Sequence, residues 1–198
     1  GQTLLEINLA NPQATEARKA AEYFWDTVTS KYAYATGSPG VEGRFRSLSQ
    51  AVERSPSQTR ENQRLCLRML QLTWTLHRAN PRETKYLDYY ERILSNQNLE
   101  EIWELAAPAS RIFEREQGKL YVNLYISENK TFEDGLRIRM DAQNYGEKIR
   151  LSLEAAGTDG KADLYLRIPA WSQENIRVLL NGKQAEGKKN RDFFFSMA

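Results

Sequence analysis

The chain has 198 residues, 40% of them hydrophobic and 27% charged, with 28 basic and 26 acidic side chains and a formal net charge of +2. That is enough apolar material for one or two globular cores, and so even a charge balance gives no electrostatic reason to expect nucleic acid or a membrane surface as partner. A single cysteine, Cys66, excludes an intramolecular disulfide and a zinc site built on several thiolates, and no apolar run approaches the roughly 18 residues of a membrane span.

Residues 15–29 place Ala17, Ala20, Ala21, Phe24, Trp25 and Val28 at spacings of three, four and seven, which predicts an amphipathic helix entered from Asn11-Pro12. Residues 36–58, with TGSPG at their head and SPS near their end, predict a long, partly ordered loop. From Glu61 to Arg78 the text is apolar on almost every side, with Leu65, Cys66, Leu67, Met69, Leu70, Leu72, Trp74 and Leu76. A buried helix stopped by Asn80-Pro81 is expected there. Tyr86, Leu87, Tyr90, Ile93 and Leu94 follow after a short joint, as in an antiparallel helical hairpin, and Leu99, Ile102, Trp103 and Leu105 predict one more helical stretch ended by Pro108.

Near Gly118 the hydrophobic period changes from helical to alternating. KLYVNLYIS sets Leu120, Val122, Leu124 and Ile126 against Tyr121, Asn123 and Tyr125, as a half-buried strand requires. The same alternation returns at Leu136, Ile138 and Met140, at Ile149, Leu151 and Leu153, at Leu164, Leu166 and Ile168, and at Ile176, Val178 and Leu180. With turn signals at Thr158-Asp159-Gly160 and Asn181-Gly182, and a further aromatic strand at Phe193 to Phe195, these runs predict an antiparallel β-sandwich or a related β-domain. The fold class is therefore α+β: a helical region over 1–117 and a β-domain over 118–198.

Common catalytic signatures are missing: there is no Walker loop, dinucleotide fingerprint, HExxH pair or EF-hand. The one histidine, His77, sits late in the apolar run and reads as structural; Cys66, among Leu65, Leu67 and Met69, reads as a buried inert thiol. Carboxylates remain for acid–base work, since a glycosidase needs two of them facing a sugar. Glu42 stands in GVEGRF and Glu61 at the mouth of the buried helix, where each has a plainer alternative: a solvated loop carboxylate, and a charge favoured by the helix dipole. Trp25, Trp74 and Trp103 fall on apolar helical faces and are assigned to the core. Trp171, in RIPAW, is open between a loop anchor, a strand-end packing residue and a platform for a sugar ring.

The order YATGSPGVEGRF, TRENQRL opening an apolar helix, KYLDYYERIL, KLYVNLYIS, LYLRIPAW and VLLNGK resembles the β-L-arabinofuranosidase family of glycoside hydrolases, family 127, from about Ala17 to the end of the chain. The resemblance implies an (α/α)-barrel followed by β-sandwich domains, of which the helices here are too few to close the barrel. It also implies a zinc ion held by one glutamate and three cysteines, one of them the nucleophile, with a separate glutamate as acid/base. Glu61-Asn62-Gln63 matches the family's E-T-C motif with Gln63 in place of the cysteine, and Asn98-Leu99 matches the end of its C-C-P-P-N-L motif without the cysteines. Glu42-Gly43-Arg44-Phe45 corresponds to G-E-x-F with the glutamate shifted by one position.

From this resemblance the expected protein is a glycoside hydrolase of the β-L-arabinofuranosidase type acting on glycans, secreted or periplasmic in a bacterium although the first residues do not read as a signal peptide. Glu42 is the candidate catalytic residue, Trp171 the candidate substrate-binding residue, and Glu61 a vestigial metal ligand. With the thiolates replaced, no zinc or other cofactor and no zinc–thiolate catalysis of the family's type are expected from this chain alone, and whether it is an active enzyme or catalytically inert in this form is open. The alternative is a non-catalytic carbohydrate-binding or structural module. Carbohydrate is the expected partner, with no nucleic acid and no membrane, and exposed remnants of helix faces admit a homo-oligomer.

Overall fold

The structure, a computed structural model, describes residues 15–46, 59–96, 109–143, 148–155, 163–172, 176–185, 188–189 and 194–197. It divides into two units, Gly1–Ala106 and Ala107–Ala198.

The first unit is helical: α1 (Thr15–Lys31), α2 (Arg60–Ala79) and α3 (Thr84–Asn96). Helix α2 begins where Thr59, extended at the N-cap, accepts a hydrogen bond from the Asn62 amide at 3.3 Å. It ends at Asn80, whose N–H returns to Leu76 and His77. Cys66, Met69, Leu70, Thr73 and Leu76 line its buried side at helical spacing. Against them lie Trp25 from α1 and Tyr86 and Tyr89 from α3, the Trp25 ring meeting both tyrosines edge-on at 5.0 and 5.4 Å. The indole N–H of Trp25 donates to Thr73 Oγ1 at 2.7 Å, so this buried donor has an acceptor.

The apolar stripe expected on α1 is only partly covered: Trp25 and Val28 are buried, whereas Ala20 is exposed and Phe24 meets Phe45 edge-on near the surface. Helix α3 buries polar side chains too, Asp88 and Glu91 among them. The expected helical stretch after Leu99, with Trp103, lies outside the described residues, as do Asn11-Pro12 and Thr158-Asp159-Gly160.

The loop expected over 36–58 is, through Arg46, a tightly hydrogen-bonded segment. Val41 and Arg44 exchange both backbone hydrogen bonds at 3.0 Å around Glu42 (φ 52) and Gly43 (φ 72), a two-residue turn with both central residues left-handed. Short range hid this, because a run of Gly, Ser and Pro reads alike whether it wanders or turns sharply. Residues 47–58 lie outside the described set.

The second unit starts ahead of the period change at Gly118. A short helix, α4 (Ala109–Ile112), leads into β1 (Phe113–Glu116), which pairs antiparallel with β2 (Lys119–Val122) across a turn at Gln117 and Gly118, both at positive φ. Gly118 is thus part of a hairpin tip. Strand β2 also stops earlier than KLYVNLYIS suggests, since beyond Val122 the Asn123 amide turns to the Ile112 carbonyl at 2.9 Å.

Further along the chain come β3 (Glu128–Thr131), β4 (Leu136–Gln143), β5 (Lys148–Ala155), β6 (Asp163–Arg167), β7 (Leu179–Leu180), β8 (Lys183–Gln184), β9 (Lys188–Lys189) and β10 (Phe194–Met197). They form sheets of order β1-β2-β6-β10-β9, β3-β4-β5 and β7-β8. The mixture of helices and strands is α+β. One expectation fails in detail: β2 and β6 run parallel, Leu120 facing Leu164 and Val122 facing Leu166, so the strands are not all antiparallel. Alternation fixes which face a strand buries but carries no information on the direction of its neighbour.

Strand β4 shows the alternation fully, with Leu136, Ile138 and Met140 buried and Arg137 and Arg139 exposed. The run at Ile176, Val178 and Leu180 does not hold. Ile176, Leu179 and Leu180 are all exposed, and of this run only Leu179–Leu180 is strand, paired with β8 in a two-stranded sheet.

Candidate functional site

Glycine placement builds the most organised polar region of the first unit. Gly37, at φ +86, leaves room for Ile93, and a Cβ on Gly40 would stand 2.1 Å from the Arg44 carbonyl oxygen. A Cβ on Gly43 would meet the Cβ of Glu61 at 2.9 Å. The turn carrying Glu42 therefore sits directly on the first turn of α2, and the two carboxylates singled out in the sequence belong to adjoining elements.

Their surroundings differ from what each role requires. Glu42, at the tip of the turn, pairs with Arg46 at 3.6 Å with half of its side chain exposed, so it is reachable from solvent. Glu61 is exposed in the first turn of α2, and the helix cap is Thr59. A carboxylate two residues into a helix complements the dipole without binding anything.

Below the turn lies a buried polar group that sequence reasoning missed. Ser38 donates to the Gly40 carbonyl at 3.1 Å and accepts from Asn62 Nδ2 at 3.0 Å, and the Cys66 thiol hydrogen-bonds the Ser38 hydroxyl. The helical spacing of Asn62 and Cys66 was the available signal, since four residues apart they share a face. Burial pushes the Cys66 thiol up to about 11, with the Ser38 hydrogen bond opposing. Burial also pushes the Tyr89 hydroxyl well above its ordinary value, with Cys66 adding to the rise.

This donor set does not fit tetrahedral zinc. Glu61 and Cys66 are five residues apart, about 140° around the helix at 3.6 residues per turn, so one points to solvent while the other points into the core. Zinc takes a thiolate, and the Cys66 environment favours the neutral thiol. Among the described residues no group of three His, Cys, Asp or Glu side chains comes together. His77 is buried with its ring 5.4 Å from that of Trp74, and Trp74 itself is half-buried.

Trp171 belongs to the second unit, in a 3-10 turn (Ala170–Ser172) after β6, and is 63% exposed. Its ring is nonetheless held. The Arg167 guanidinium lies 5.7 Å from the Trp171 ring and 5.6 Å from that of Tyr125, and Arg167 is buried with its Nε donating to the Asn123 carbonyl at 2.6 Å. The Tyr125 hydroxyl donates in turn to the Arg167 carbonyl. An exposed indole fixed from one side is suited to stacking on an apolar ring face. Arg167 could not be singled out from sequence, because RIPAW looks like any strand end.

Among the described residues no helix is long and apolar enough to cross a membrane. Residues 9–104 match the family described as Beta-L-arabinofuranosidase, GH127 catalytic domain, and residues 119–198 match that described as Beta-L-arabinofuranosidase, GH127 middle domain. Among solved structures, a GH127 beta-L-arabinofuranosidase from Geobacillus stearothermophilus T6 is similar in fold, with a TM-score of 0.63 and 15% identity over 95% of this chain and 37% of that one. The chain thus spans well under half the length of that relative. No curated protein matches it.

Proposed function

Because the chain belongs to the β-L-arabinofuranosidase family of glycoside hydrolases, family 127, we propose that it is a glycan-directed protein of that type which, by itself, holds the acid/base half of the family's chemistry and not the zinc–thiolate half. In this reading α1, α2 and α3 are a segment of an (α/α)-barrel and the second unit is a β-sandwich-type domain. In the same reading the substrate class is an arabinofuranoside-bearing glycan and the protein acts outside the cytoplasm.

The observation that carries the proposal is the divergence of Glu61 and Cys66. Glu42 is an accessible carboxylate at the tip of a left-handed turn, where it can pass a proton to or from a glycosidic oxygen. A nucleophile must complement it. The only cysteine is buried, protonated and bonded to Ser38, so no thiolate attack on the anomeric carbon is derived for this chain. What remains is recognition, with Trp171 as the sugar platform.

The test is zinc content of the purified chain together with arabinose release from an aryl β-L-arabinofuranoside. The expected result is substoichiometric zinc and no release. Stoichiometric zinc with turnover that is lost in Glu61→Gln would overturn the proposal.

A further inference from the structure

We propose that the outward face of the β3-β4-β5 sheet binds the carboxylate of an acidic sugar residue, with Arg139 and Arg150 as the two cationic contacts. The proposal uses only the second unit and does not depend on Glu42, Glu61 or Trp171.

Strand register assembles this face. Arg139 on β4 lies between Asn129 on β3 and Ser152 on β5, its direct partners across the two ladders. On one side of this row Arg137 stands between Thr131 and Glu154, and on the other Asp141 stands opposite Arg150. Because directly paired residues point to the same side of a sheet, and the alternate residues Leu136, Ile138 and Met140 are buried on the other, these side chains share one solvent face. Arg139, Asp141, Arg150 and Ser152 line a concavity of about 290 Å³ there, just under the roughly 300 Å³ at which ligand pockets start.

Two features select the ligand. First, among the described residues neither Arg139 nor Arg150 makes an ion pair, although Asp141 is opposite Arg150; Asp141 instead accepts from Gln143 Nε2 at 3.1 Å. Two guanidinium forks are thus left to receive a planar anion, and a carboxylate matches such a fork with two parallel hydrogen bonds. Second, Asp141 and Glu154 share the face and leave it only weakly positive. They oppose a doubly charged phosphate or a nucleic acid backbone, while they and the Asn129 and Ser152 side chains offer acceptors and donors to sugar hydroxyls. The ligand that satisfies both is a uronic acid residue, a singly charged carboxylate on a ring of hydroxyls.

The experiment is calorimetric titration of the 198-residue chain with a galacturonate trimer, with its methyl ester, with inorganic phosphate and with a short oligonucleotide. The trimer is expected to bind and its methyl ester, which has the same ring hydroxyls without the charge, is not. Arg139→Gln and Arg150→Gln are each expected to weaken the trimer about tenfold with the far-UV circular dichroism spectrum unchanged, while Lys183→Gln, which removes a charge from β8, leaves affinity as it was. Equal binding of trimer and ester, tighter binding of phosphate or oligonucleotide than of trimer, no heat with the trimer, or an equal effect of Lys183→Gln would each overturn the proposal.

Discussion

Gly43 lies against Glu61 so closely that a Cβ on the glycine would stand 2.9 Å from the Cβ of the glutamate. The contact joins two stretches separated by residues 47–58 and sets the turn on the start of α2. It makes a graded prediction. Gly118→Ala meets nothing within 4 Å and bears only the penalty of its left-handed backbone, about 1 kcal/mol. Gly43→Ala adds the clash with Glu61 and should cost about 2 to 3 kcal/mol. Gly40→Ala, whose Cβ would fall 2.1 Å from a backbone oxygen, should cost most. Urea denaturation of the three variants checks the order, and equal losses at Gly43 and Gly118 would remove the contact from the account.

What the sequence disclosed and what it hid divide along physical lines. Helical periodicity located α2 and α3, because each buries a face whose spacing is local. Strands β1 and β3, FERE and ENKT, are invisible in the sequence: they are short and mostly polar, with too few residues to show an alternation, and each is held by the strand that follows it. The candidate site was half legible. Glycines around Glu42 signalled a turn, but only the folded chain shows Gly43 on Glu61 and Ser38 bridging to Asn62 and Cys66, contacts between elements far apart in the sequence.

The Trp25 and Thr73 pair supplies a second measurement. Thr73 Oγ1 accepts from the indole and donates to the Met69 carbonyl at 2.6 Å, so it links two elements through one hydroxyl. Thr73→Val keeps the shape and leaves a buried N–H without an acceptor, which costs about 1 to 3 kcal/mol. Thr73→Ser keeps the acceptor and loses one methyl, about 1 kcal/mol. Thermal unfolding should therefore rank serine above valine. The reverse order would mean that packing, not the hydrogen bond, dominates at this position.

Alkaline stability should report on Cys66. Its thiol is raised from an ordinary 9.0 to about 11 by burial. Below pH 9 the thiol is protonated whether the chain is folded or not, and the contribution is complete. Between pH 9 and 11 the unfolded chain gives up the proton and the folded chain keeps it, so stability falls with rising pH, by about 2 to 3 kcal/mol across that window. Tyr86, raised to about 12 by burial and neighbouring carboxylates, extends the loss above pH 10. Cys66→Ala should be less stable at neutral pH, through the cavity it leaves, yet lose less between pH 9 and 10. Parallel slopes for the two proteins in that interval would refute the assignment.

Trp171 separates recognition from stability. Its ring is largely exposed, so Trp171→Ala gives up little buried area and one exposed cation–π contact with Arg167, about 0.5 to 1 kcal/mol. Loss of a stacking face should instead weaken a neutral arabinofuranosyl oligosaccharide about tenfold, and Trp171→Phe, which keeps an aromatic face, should weaken it less. Arg167→Met has the opposite profile. It removes a buried guanidinium whose Nε donates to the Asn123 carbonyl and leaves that acceptor unmatched, so stability should fall by about 1 to 3 kcal/mol. The glycan affinity of the folded fraction should fall as well, because the indole loses the group that fixes it. Tryptophan emission gives both readouts: a blue shift on adding the oligosaccharide in the parent chain, and its absence in Trp171→Ala. A blue shift that persists in Trp171→Ala would assign the sugar to another surface.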